Sequence, residues 1–134
     1  MKKYILFISL AIGLMQCSKS VQNVNETIPT NLTVISQGSF AGAAHTVTGA
    51  VKLSKDAAGK KSLVFENFNT QSGPDLRIWM AEDVSGKVYS EITSTVKNGT
   101  YSLDVPADVD TAKKTFVLVW CKQYVVLFGS AMLK

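Results

Sequence analysis

Thr115-Phe116-Val117-Leu118-Val119-Trp120-Cys121-Lys122-Gln123-Tyr124-Val125-Val126-Leu127-Phe128-Gly129-Ser130-Ala131-Met132-Leu133 decides the fold. It is the longest apolar run outside the N-terminus, and only Lys122 and Gln123 interrupt it. Both arms are rich in β-branched and aromatic side chains, which fit a pleated surface better than a single helix. The reading is a central β-hairpin that turns near Lys122-Gln123, with Cys121 closing the first arm.

Working outward, apolar residues from Leu32 onward recur with period two and are cut by glycine and asparagine about every ten residues. Leu32 and Val34 open one candidate strand, and Val47, Val51 and Leu53 another. Leu63 and Phe65 share a face. Leu76, Ile78 and Met80 alternate with Asp75, Arg77 and Trp79. Val88 to Ile92 reads as a short edge strand or one helical turn, and Tyr101, Leu103 and Val105 alternate up to Pro106, which ends a strand. Asn98-Gly99 carries the strongest two-residue hairpin signal. No stretch after residue 18 sustains a 3.6-residue apolar stripe. The expected fold class is all-β: an antiparallel β-sandwich or flattened barrel of about seven to nine strands.

The N-terminus belongs to export. Met1-Lys2-Lys3 is a basic start and Tyr4 to Met15 an uncharged apolar run, too short for the roughly 20 residues that span a bilayer. Leu14-Met15-Gln16-Cys17 resembles a bacterial lipobox, with Gln16 standing where a small residue is usual. Residues 1–16 are then a lipoprotein signal peptide, and Cys17 the lipidated first residue of the mature chain. Residues 17–31 read as lipidated cysteine and flexible tether with a reach of about 20 Å, and residues 32–134 as the β domain. The expected location is the bacterial cell envelope, lipid-anchored to membrane and facing the periplasm or cell exterior. Loss of Lys2 and Lys3 lowers the formal charge from +4 to +2. The remaining lysines form isolated pairs without interleaved aromatics, so no nucleic-acid partner is expected.

The chain has one histidine, His45, which excludes the imidazole clusters of most catalytic zinc or copper sites. It has no phosphate-binding glycine loop, no Gly-x-Ser-x-Gly turn, and no paired carboxylates of the glycosidase kind. An enzyme is therefore not the leading expectation, and no metal site is expected. Cys121 is the one chemically suggestive residue. A thiolate is a soft ligand and a redox group where positive charge lowers its pKa, yet free cysteine also packs as a small hydrophobe. With Cys17 carrying lipid, Cys121 has no intramolecular disulfide partner. His45, in a Gly/Ala-rich loop, reads as a hydrogen-bonding loop residue or a ligand. Trp79 and Trp120 read as core or half-buried strand residues, either of which could line a pocket.

Gly38-Ser39-Phe40, His45, Gly49, Leu63-Val64-Phe65-Glu66-Asn67-Phe68, Gly73-Pro74-Asp75-Leu76, Tyr101 with Pro106, Val119-Trp120-Cys121-Lys122 and Phe128-Gly129-Ser130-Ala131 together resemble the DM-thirteen ("electron transfer DM") domain family. The likeness runs from about Val34 to Leu133. Trp79 stands where other hydrophobes are usual. The resemblance implies an electron-transfer or other redox role centred on Cys121, either as a bare thiol or as ligand to a prosthetic group such as haem. His45, Met80 and Met132 are then the available second ligands. On this reading Cys121, His45 and Trp120 are the candidate redox or cofactor-binding residues, and a redox partner protein and the membrane are the expected partners. The alternative is a non-enzymatic binding or adhesion module in which Cys121 is structural and loops such as Asn69–Pro74 contact the partner.

Overall fold

The computed structural model describes residues 20–134. Among them are ten strands and no helix: β1 Gln22–Asn25, β2 Thr33–Ser39, β3 Ala41–Gly42, β4 Val47–Lys55, β5 Lys61–Thr70, β6 Leu76–Ala81, β7 Tyr89–Thr93, β8 Lys97–Asp104, β9 Phe116–Cys121 and β10 Val126–Met132. They form two five-stranded sheets, ordered β1-β8-β5-β4-β2 and β3-β10-β9-β6-β7. The architecture is a sandwich rather than a closed barrel. All pairings are antiparallel except β1 with β8. Two short strands, β1 and β3, raise the count above the expected seven to nine.

Alternation puts one apolar set from each sheet inside. Val51, Leu53, Leu63, Phe65 and Tyr101 from the first sheet meet Ile78, Met80, Val117, Val119 and Cys121 from the second. Phe65 stacks on Tyr101 at 4.8 Å between ring centroids, and Phe68 meets Phe65 edge-on at 5.3 Å. Burying each such ring stabilises the fold by about 1.5–3 kcal/mol. The hairpin read from Thr115–Leu133 is present as β9 and β10. Its turn spans Lys122–Val125, and Val125 adopts φ 54°.

Two sequence expectations change. Asn98-Gly99 is no turn: it lies inside β8, between β1 and β5. Gly99 has φ 112°, and a Cβ there would collide with the Val24 carbonyl oxygen, so glycine is needed for the approach of β1. The Asn98 carboxamide continues the ladder sideways, accepting from Thr70 N at 2.9 Å and donating to Thr70 O at 3.2 Å. The second change is in the segment assigned to a tether. Its residues 22–25 are strand, with Val24 packed on the core and Glu26 paired to Lys97. A single valine among three polar residues is too short a pattern to read without its partner strand. Cys17 and residues 1–16 lie outside the described residues.

Candidate functional site

Cys121 ends β9, the middle strand of its sheet. Leu76 of β6 stands opposite on one side and Val126 of β10 on the other. Odd positions of β9 face inward, so the thiol enters the apolar core, and Cys121 is 0% exposed. The end is held shut by Lys122 N donating to Asp75 O at 2.9 Å. No hydrogen bond reaches its Sγ among the described residues.

Above it, Leu76 forms part of the floor of a cleft of about 460 Å³. Val21, Gly73, Pro74, Thr95 and Lys97 line the rest. A Cβ on Gly73 would come within 2.9 Å of Leu76 Cδ2 and 3.0 Å of Phe128 Cζ. The Gly73-Pro74-Asp75-Leu76 segment therefore has to begin with glycine to lie flat on this layer. Leu76 thus lines the cleft and pairs with Cys121 in the ladder, while Cys121 itself does not line the cleft.

His45 stacks on Phe128 at 3.9 Å between centroids, and its Nδ1 shares a hydrogen bond with Gln71 Oε1 at 2.9 Å. It is exposed on the rim and does not meet Cys121. Trp120 faces the other way, on the outer side of its sheet. The three candidate residues are thus not gathered into one site.

A haem at Cys121 does not fit this packing. The sulfur opens into no cleft among the described residues. Met80 is four residues along β6 from Leu76, about 13 Å away, and itself fully buried. Met132 pairs with Phe116 at the far end of the hairpin, and His45 lies beyond Phe128. Among the described residues, no group of three or more His, Cys, Asp or Glu could hold a metal ion.

The outer face around Trp120 holds a feature that sequence reasoning left unassembled. Trp120 stacks on Trp79 at 4.9 Å and 19°, and Trp79 stacks on Tyr89 at 3.7 Å and 14°. Ala81 and Leu118 complete this small second core. Trp79 donates from Nε1 to Glu91 Oε2 at 3.1 Å, and Arg77 donates from Nη1 to Glu91 Oε1 at 2.8 Å. Arg77 is also bound to Asp75, and that bond first, then Glu91, raises its pKa above the ordinary arginine value. The loop over 82–88 closes on the rings: a Cβ on Gly86 would sit 3.2 Å from Trp120 and 3.3 Å from Trp79. The available signal was the alternation placing Trp79 and Trp120 on outward positions of their strands. What hid the rest was the β6–β7 register, which period-two patterning does not give.

Neither a curated protein nor a solved structure matches the chain. A family model described as electron transfer DM13 does match, over residues 39–133, from the end of β2 to the last residues of β10. With most of its length so matched, the chain belongs to the electron transfer DM13 family.

Proposed function

We propose that the protein is an electron-transfer domain of the bacterial cell envelope, held to a membrane by lipid on Cys17 and exchanging electrons with a partner protein. The observation that carries the reading is its membership of an electron-transfer family over the sandwich that encloses Cys121. The geometry narrows what that cysteine does. Disulfide exchange needs a thiolate that a second sulfur can approach, and a 0% exposed side chain under Leu76 offers no approach. The same enclosure protects the sulfur from stepwise over-oxidation. Any electron passed at Cys121 crosses the protein layer while the side chain stays in place.

The second reading, a binding module with a structural Cys121, is favoured by one observation. The sulfur is packed as a core residue, and the adjacent cleft is lined by the loop containing Gly73 and Pro74. Protein-film voltammetry on the wild type and on Cys121→Ala separates the two. A reversible wave lost in Cys121→Ala supports the cysteine as the working group. A wave retained there moves the group elsewhere in the domain. No wave in either protein sinks the electron-transfer reading and leaves the binding module.

A further inference from the structure

We propose that Tyr89, Trp79 and Trp120 form a relay that accepts the hole left by a strong one-electron oxidant at the surface, with Glu91 taking the indole proton of Trp79. The proposal rests on the electron-transfer reading and deepens it by naming an entry point on the outer face, away from Cys121.

Three observations converge. The rings are near-parallel and in van der Waals contact, at 3.7 and 4.9 Å between centroids, so a hole placed on one is shared with the next. Tyr89 is 41% exposed, Trp120 9% and Trp79 4%, so the relay opens to solvent at Tyr89 and is shielded in its middle. A carboxylate waits at the more shielded of the two indoles, 3.1 Å from its Nε1.

The strand register shows how that carboxylate arrives there. Ile78 pairs with Thr93, but Trp79 pairs with Glu91, because a bulge takes Ile92 out of the ladder. Ile92 turns to the core instead. Without the bulge Glu91 would stand opposite Met80, a core-facing residue. Bulges re-aim side chains in this way next to working sites. Arg77, from the strand position opposite Trp120, holds the second oxygen of Glu91 and so fixes which oxygen faces the indole.

The step balances without any further group. A high-valent metal centre or another one-electron oxidant of that strength takes one electron from the stack and is reduced by one. The oxidised indole of Trp79 is far more acidic than the neutral ring, and its Nε1 proton passes to Glu91 Oε2. This leaves a neutral indolyl radical and a carboxylic acid. The hole then moves to Tyr89: its electron returns to Trp79, Glu91 gives the proton back to Nε1, and the phenol proton goes to water. A one-electron donor reverses the step, and Glu91 returns the proton. Elsewhere among the described residues, Tyr101 is sealed in the core without a hydrogen-bond partner, and Tyr124 stands alone on a turn.

The test is flash oxidation of the full chain by photogenerated tris(bipyridine)ruthenium(III), followed by transient absorption. A Tyr124→Phe background silences the other exposed phenol among the described residues. The expected result is a neutral indolyl radical followed by a tyrosyl radical. Trp79→Phe should lower the yield of neutral indolyl radical, with Trp120 the one indole left in the stack. Glu91→Gln leaves the rings in place and should convert the neutral radical to the protonated cation radical at the same pH, a change that packing alone would not produce. An unchanged neutral radical in Glu91→Gln, or an unchanged indolyl yield in a folded Trp79→Phe, overturns the relay. Should Trp79→Phe fail to fold, the Glu91→Gln spectrum decides alone. The two readings fail separately. An indolyl radical without a voltammetric wave ends the electron-transfer reading, whereas a wave without these variant effects ends only the relay.

Discussion

The enclosure of Cys121 sets a measurable number. A thiol reagent reaches Sγ only through an opening of the core that buries Cys121. Cys121 lies on β9, which is paired on both sides, so the cheapest full exposure is unfolding of the domain. At roughly 0.05–0.15 kcal/mol per residue, the 115 described residues imply an unfolding free energy of at least about 6 kcal/mol. With tenfold per 1.4 kcal/mol, an aromatic disulfide reagent should react with the native thiol about 10⁴-fold more slowly than with the urea-unfolded chain. The reaction is followed by release of the coloured thiol under a large reagent excess. Addition of urea below the transition should accelerate it in step with the falling stability. Reaction within tenfold of the unfolded rate, insensitive to urea, would refute the argument and would mean that the core around Cys121 opens locally. Thiol exchange would then return as a mechanism. The same trace reads Cys17. With that sulfur held in a thioether to the lipid no fast phase is expected, whereas one fast equivalent contradicts the lipid anchor.

Three further outcomes follow from particular residues. Tyr101 Oη is buried with no partner in hydrogen-bonding geometry, and burial raises its pKa above 10.0. Tyr101→Phe should gain about 1 kcal/mol in urea unfolding. It should also escape the stability that the wild type loses as pH rises above 10.0, where the unfolded phenol ionises and the folded one keeps its proton. A loss of stability in the variant would mean that the hydroxyl oxygen is bonded, with the Lys97 backbone N–H as its donor. Val125, at φ 54° and 73% exposed, holds a β-branched side chain in the left-handed region, and Val125→Asn should raise the midpoint, for a gain in stability of about 1 kcal/mol. An unchanged or lowered midpoint refutes that. Asp83 is held below 3.8 by hydrogen bonds from Ser85, first from its side chain and then from its backbone at 2.7 Å. Its contribution is present above the unfolded value and disappears as pH falls below 3.8. The turn over the tryptophans should then loosen, seen as a red-shifted indole emission that is absent from Asp83→Asn.

The hairpin around Cys121 and the alternation of Leu76, Ile78 and Met80 were legible because each is a local pattern with a repeat of two. Asn98-Gly99 misled for a physical reason. The same dipeptide suits a tight turn and a strand that another backbone must approach closely, and only β1, more than 70 residues earlier, decides between them. The candidate site divides along the same line. Position parity places Trp79 and Trp120 outward and Cys121 inward, but Glu91 reaches Trp79 only through a bulge at Ile92, which leaves no mark in the pattern.

Trp120 and Cys121 are neighbours in the chain and occupy opposite faces of one strand, so they meet different requirements for oxidation. Loss of an electron from a thiol at neutral pH is costly unless its proton leaves as well. Inside the sandwich Cys121 has an apolar neighbourhood and no acceptor, which disfavours any charged product. On the outer face the indole of Trp79 has a carboxylate in place and the phenol of Tyr89 has water. Proton disposal therefore favours entry of a hole on the outer face, one peptide unit from the sulfur. If Cys121 takes part, it does so after the aromatic rings and at a rate limited by its own proton. A kinetic isotope effect in heavy water on sulfur oxidation, with none on the initial ring oxidation, is the expected ordering, and the reverse would place the first step at the thiol.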